Sequence, residues 1–334
     1  MVSLSPAKLV INPSPIFISN PTPQNPFFFF FPICSPNSPF FKSKFSSSIS
    51  CLPKATNVTT SSTHQEEEEE EEFQVLSAVR SKYNDIVIVD TPNSRMLLLD
   101  STHNVHSILN KGLQKWTGSY WDEFASLPAI VPKGPIAIYG LGGGTAAHLM
   151  LDLWPSLQLE GWEIDDILID KARDYFGLSD LEKHSQGGGI LDVRVGDVLS
   201  PSENVSGKYA GIIIDLFSEG KVLAELQEVE TWLQLNNRLL PDGRFMVNCG
   251  GIGRESDETD HQKSMDDAWI QNSTIQTLME AFPGKVSWKR MPERNGENFL
   301  ALTGPLPDLT IWSSSVPGPL SENVKQWKLC ESSS

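Results

Sequence analysis

The chain has 334 residues, 26 basic and 42 acidic, for a net charge of −16. Such a charge repels a nucleic-acid backbone and suits a cationic partner, although seven of the acidic residues form one run, Glu66–Glu72. The four cysteines and six histidines fall at no disulfide or metal-ligand spacing, and no apolar run approaches the roughly 18 residues of a membrane helix.

Residues 1–65 contain no Asp or Glu and carry Lys8, Lys42, Lys44 and Lys54 among many Ser and Pro. This is the composition of an organellar transit peptide, and the lack of arginine suits a chloroplast (plastid stroma) better than a mitochondrion. We assign 1–55 to that leader and 56–72 to a solvated, self-repelling acidic linker.

The folded part begins near Phe73. Apolar runs at Asp85–Val89 and Arg95–Asp100 flank Thr91-Pro92-Asn93-Ser94 and predict a hairpin. A helix is expected around Tyr120–Leu127, stopping before Pro128. These elements make an N-terminal region, 73–132. From 133 to 312 strand and helix alternate: strand 136–139, helix 145–153, strand 158–163, helix 167–176, strands 191–195 and 211–215, helix 223–240, strand 243–248. A polar segment 250–267 then precedes a helix 268–281 and an antiparallel pair, 285–290 and 298–303. Continuous apolar strands spaced by amphipathic helices predict a mostly parallel sheet covered on both faces. With its antiparallel last strand, this is the plan of an α/β, Rossmann-like class I methyltransferase fold. Residues 313–334 are assigned to a C-terminal tail.

Within that plan, Ile136–Tyr139 opens into Gly140-Leu141-Gly142-Gly143-Gly144-Thr145 and a helix, and Glu163 stands about 20 residues further on. Strand, glycine turn, helix N-terminus and distal carboxylate form a nucleoside site. Close backbone approach and the helix dipole serve the ligand at the loop, and Glu163 serves a ribose hydroxyl. Ligands of such sheets lie at the carboxyl ends of the strands, where Gly140, Glu163, Asp197 and Asp215 all fall. Asp197 also reads as a turn residue, and Asp215 as a helix cap.

From about Ser81 to Gly304 the sequence resembles spermidine synthase and its aminopropyltransferase relatives. The likeness rests on Tyr83-Asn84-Asp85-Ile86, Ala125-Ser126-Leu127-Pro128, the glycine loop, Trp162-Glu163-Ile164-Asp165, Val195-Gly196-Asp197 and Ile212-Ile213-Ile214-Asp215. It implies that Gly140, Gly142, Gly144, Glu163, Ile164, Asp197, Val198 and Asn84 hold the nucleoside, with Glu163 on the ribose and Asp197 on the adenine amino group. It likewise implies Asp215 at the reacting amine, and Tyr120 and Glu219 lining the acceptor pocket. S-adenosylmethionine or its decarboxylated form is the implied ligand, with no metal. A small-molecule acceptor, for which the acidic charge suits a cation, is the implied partner, and a homodimer is left open.

Two departures bear on the chemistry. Where the family keeps an aspartate inside the loop, this chain has Gly143. In an aminopropyltransferase that carboxylate faces the ammonium of the decarboxylated ligand, so Gly143 favours the intact one and hence methyl transfer. Leu216-Phe217-Ser218-Glu219 also replaces a motif with a second aspartate. Methyl transfer to a small acceptor is therefore the first expectation. Aminopropyl transfer and a non-catalytic, nucleoside-binding or scaffolding protein are the alternatives.

Overall fold

The computed structural model describes residues 73–100, 102, 104–200, 208–251, 265–291 and 298–331. The leader and acidic linker, and most of the polar segment 250–267, lie outside these residues.

The chain opens with β1 (Gln74–Arg80), β2 (Asp85–Asp90), β3 (Ser94–Leu98) and β4 (Ser107–Asn110), an antiparallel sheet in that order. The predicted hairpin is its centre. Its outer strands are too short or too polar to show as period-2 runs, and both faces of the sheet still carry buried apolar side chains. Ile86, Ile88 and Leu97 pack with Leu168 and Phe176 of the following domain. Val89, Met96 and Leu98 form a second cluster on this sheet.

A short helix, α1 (Tyr120–Phe124), leads through a 3-10 turn at Leu127–Ala129 into the large domain. Its elements are β5 (Ile136–Tyr139), α2 (Thr145–Leu153), β6 (Gln158–Glu163), α3 (Asp166–Tyr175), α4 (Leu178–Leu181), β7 (Ile190–Val195) and β8 (Tyr209–Ile214). A small hairpin follows, β9 (Phe217–Ser218) and β10 (Lys221–Val222), then α5 (Val229–Asn236) and β11 (Leu239–Asn248). The chain finishes with α6 (Ser273–Ala281), β12 (Val286–Arg290), β13 (Phe299–Thr303), α7 (Leu309–Ser315), α8 (Gly318–Asn323) and β14 (Lys328–Leu329).

Eight strands form one sheet in the order β14-β12-β13-β11-β8-β5-β6-β7. The pairs among β11, β8, β5, β6 and β7 are parallel, whereas β13 runs antiparallel to both β11 and β12. This is the expected α/β plan. Alternation along β5 splits the core in two: Ile136 and Ile138 face a cluster with Met150 and Trp312, while Ala137 and Tyr139 face one with Trp232 and Ile275. All six residues of β8 are buried. Each fully buried Ile contributes roughly 1.5–3 kcal/mol, so the strand that delivers Asp215 is held firmly in the sheet.

The structure corrects several boundaries. The single helix predicted over 223–240 is a 3-10 turn (Ala224–Gln227) plus α5, because Glu228 is extended and Asn237 ends the helix. Strand β11 starts earlier than predicted, at Leu239, and absorbs Pro241-Asp242-Gly243 through a register shift with Asp242 at φ 62°. The helix predicted over 268–281 breaks at Asn272, whose side chain caps α6 by accepting from the Ile275 N–H. The segment read as a tail packs back on the domain: Trp312 donates to the Ser126 carbonyl, and β14 adds an edge strand to β12.

One polar contact crosses this core. Lys289 of β12 and Glu123 of α1 are both almost fully buried, with Nζ 2.8 Å from Oε1. Lys289 also donates to the Asn323 carbonyl at the end of α8. Burial pulls the Lys289 pKa down, and Glu123 works against that shift.

Candidate active site

The carboxyl ends of β5, β6, β8 and β11 bring together Gly140, Glu163, Asp215 and Asn248. Gly140 sits at φ 88°, and a Cβ there would lie 2.2 Å from the Asp215 carbonyl oxygen. Only glycine lets the loop cross so close to the end of β8.

Glu163 is held by the loop it serves. Its Oε2 accepts from the Gly142 N–H at 3.0 Å, and its Oε1 from the N–H groups of Ile164 (2.9 Å) and Asp165 (3.3 Å). Burial pushes its pKa up, and these three backbone bonds oppose the rise. A carboxylate has about four lone-pair sites. Oε2 therefore keeps acceptor capacity for a ligand hydroxyl, with the exposed apolar side chain of Ile164 beside it. Replacing Glu163 by Ala removes charge-assisted bonds worth roughly 1.5–3 kcal/mol each. Nucleoside affinity should fall at least about tenfold with the fold retained, as calorimetry and circular dichroism on the variant would show; unchanged affinity would remove Glu163 from the site.

Gly144, at φ 83°, caps α2. Gly143 has a different surrounding from the one its sequence position suggests. Its N–H donates to the Ser107 hydroxyl at 2.8 Å, and a Cβ would meet Ser107 Cβ at 2.9 Å and Phe176 at 3.3 Å. Strand β4 is pinned to the same spot, since the Thr145 hydroxyl accepts from the Ile108 N–H and donates to its carbonyl. The N-terminal sheet thus packs on the loop, and Ser107 and Phe176 crowd the space a side chain at Gly143 would need.

Asp215 is the centre of the second half of the site. Asn248 donates to its Oδ1 at 2.9 Å, and the Tyr120 hydroxyl and Trp121 side chain also hydrogen-bond to it. Burial outweighs these bonds and the nearby His106 charge, and pushes its pKa up to about 6. Burial, then Asp215 itself, drives the Tyr120 phenol well above its usual range, so Tyr120 stays a donor. The Tyr120 ring is held against Trp121 (4.7 Å between centroids) and Phe124 (5.5 Å). Asp215 is thus no simple helix cap: a short hairpin rather than a helix follows it.

The other expected site residues have these surroundings in the fold. Asp197 is exposed and caps its own turn by accepting from the Leu199 N–H at 3.0 Å, while Val198 beside it is buried. The Asn84 amide donates to Asp165 Oδ2 at 2.7 Å, and Asp165 is buried and caps α3, so Asn84 ties the N-terminal sheet to the turn that follows Glu163. Glu219 is exposed. It occupies the exposed tip between β9 and β10 at φ 49°, with Gly220 at φ 73°, a two-residue turn that needs positive φ at both positions. Conversely, Asn248, Trp121, His106 and Ser107 carry no motif, and pattern reading passed over them. Asn248 at a strand terminus was the one available signal. Among the described residues no helix is long and apolar enough to cross a membrane, and no His, Cys, Asp and Glu cluster could hold a metal.

These residues form a crevice at the carboxyl ends of the strands of an α/β fold with a mostly parallel central sheet. No family model matches the chain. Over 176 residues, 52% of its length, it is 26% identical to a probable polyamine aminopropyl transferase of Bifidobacterium longum (strain NCC 2705), spanning 36% of that relative. A probable spermidine synthase from Corynebacterium glutamicum ATCC 13032 superposes with a TM-score of 0.51 at 17% identity, over 68% of this chain and 79% of the other. A spermidine synthase from Thermotoga maritima gives 0.50 at 14% identity, over 74% and 77%. The chain shares its fold with these spermidine synthases.

Proposed function

We propose that this protein is an alkyltransferase that takes an aminopropyl group from decarboxylated S-adenosylmethionine to an amine. The observation that carries the reading is Asp215, a carboxylate poised near pH 6 and oriented by Asn248 and Tyr120 at the rim of a glycine-loop crevice. The aminopropyl group comes from the name of the curated relative, which supports this reading above the methyl transfer favoured by sequence alone. A bound sulfonium supplies a carbon already activated toward a nucleophile. The protein's own tasks are then to align an amine and remove a proton. Glu163 and the loop hold the nucleoside end, and Asp215 accepts the proton.

Methyl transfer from intact S-adenosylmethionine is the second reading. It is favoured by Gly143, which stands where the family resemblance implies an aspartate. Incubating the protein with each cofactor and a panel of di- and polyamines, then weighing the products, separates the two. A gain of one aminopropyl group supports the first reading, and a gain of one methyl group replaces it with the second.

The acid-free, lysine-bearing composition of residues 1–65 supports a plastid address. Residues 1–55 fused to a fluorescent reporter should deliver it to plastids; a reporter left in the cytosol would refute this.

A further inference from the structure

We propose that Ser81 and Asn84 are positioning residues for Glu163, acting through Asp165, so that the N-terminal sheet is a working part of the nucleoside site. The inference deepens the reading of Glu163 as the ribose carboxylate and rests on it. Ser81 and Asn84 stand in the turn between β1 and β2, and both donate to Oδ2 of Asp165, the Asn84 amide at 2.7 Å. Asp165 is fully buried. Its Oδ1 accepts from the Leu168 N–H at 3.2 Å and caps α3, while its own N–H donates to Glu163 Oε1 at 3.3 Å. One residue therefore joins the sheet, the helix and Glu163.

The same sheet also holds the loop on the other oxygen of Glu163. Oε2 accepts from the Gly142 N–H at 3.0 Å, the next N–H, of Gly143, donates to Ser107, and Ile108 of β4 is hydrogen-bonded to Thr145 at the head of α2. From the β1–β2 turn through Asp165, Glu163 and the glycine loop to β4, these contacts make a circuit that starts and ends on one sheet. Ile86, Ile88 and Leu97 of that sheet also pack with Leu168 and Phe176. Apolar burial of this kind is non-directional, whereas the bonds to Asp165 need a defined distance and angle. The apolar contact seats the sheet, and the polar one sets the turn. If Asp165 loses its donors, the Ile164 and Asp165 N–H groups that orient Glu163 Oε1 shift with it.

Affinity for two thioethers, S-adenosylhomocysteine and 5′-methylthioadenosine, is measured by titration calorimetry, beside Tm. The proteins are wild type, Asn84→Ala, Asp165→Asn, the double variant Asn84→Asp with Asp165→Asn, and Val89→Ala. Asn84→Ala and Asp165→Asn should each bind about 3- to 30-fold more weakly, the range over which residues that touch no ligand modulate a site. Asp165→Asn still caps α3, but it sets one amide group against another. Exchanging the two residues puts a donor opposite an acceptor again, so the double variant should recover most of the affinity. Val89→Ala trims the other apolar cluster of the sheet, and should lower Tm with affinity unchanged. Wild-type affinity in Asn84→Ala, full affinity in Asp165→Asn, a double variant no better than the singles, or an equal loss in Val89→Ala each overturns the positioning role and leaves the nucleoside site standing. A wild type that binds neither thioether overturns that site, and this inference with it.

Discussion

Replacing Lys289 by Met should cost roughly 3–5 kcal/mol, the usual result of leaving one partner of a buried ion pair alone. For a folded part of this size that is a drop in Tm of about 6–20 °C, read by calorimetry or circular dichroism. The cause is specific. Glu123 is fully buried on α1, and its cation is Lys289, 2.8 Å away. The double variant Glu123→Leu with Lys289→Met should recover much of the loss, since an apolar pair needs no desolvated charge. Because Glu123 lies on the helix that carries Tyr120 and Trp121, the single variant should also loosen the donors on Asp215. A Tm within about 2 °C of wild type would show that the pair carries little of the fold.

Asp215→Asn should lower turnover by about 10²–10⁴-fold, the usual contribution of a general base, while nucleoside binding persists. Asn keeps the shape and can hold Tyr120, but it cannot take a proton. The same residue sets the acid limb of the pH profile: wild-type activity should rise with pH through about 6 as the carboxylate ionises. The stability linkage has the opposite sense. The folded pKa lies above the ordinary value of 3.8, so the folded state binds the proton more tightly. The contribution to stability is complete below pH 4 and is lost as pH rises through 6. Asp215→Asn should therefore be more stable than wild type at pH 7, with the advantage gone near pH 4. Equal activity of the two proteins at pH 7 would take Asp215 out of the mechanism.

The sheet was legible because buried parallel strands write themselves as apolar runs: Ile136–Tyr139 and Gly211–Ile214 could be placed without a partner in view. The ends of strands were legible too, and with them Gly140, Glu163 and Asp215. What escaped detection depends on tertiary neighbours. The local surroundings of Asp197 and Glu219 were not legible: one accepts from the Leu199 N–H in its own turn and the other occupies a hairpin tip, which only the fold decides. Gly143 was read as a missing charge. The structure adds that Ser107 and Phe176 crowd the space a side chain there would need, a fact set by the docking of a sheet some 36 residues upstream. Asn248 on β11 and Trp121 on α1 reach Asp215 from separate elements, and no local pattern encodes such a convergence.

The central claim is that the crevice between Gly140 and Glu163 binds an adenosyl group, and titration calorimetry tests it most directly. Residues 73–334 and the Glu163→Ala variant are each titrated with S-adenosylhomocysteine and with 5′-methylthioadenosine, the thioethers left after methyl and aminopropyl transfer. Saturable one-site binding of at least one thioether by the wild type, weakened at least about tenfold in the variant, is the expected result. No binding of either, or equal binding by both proteins, would contradict it.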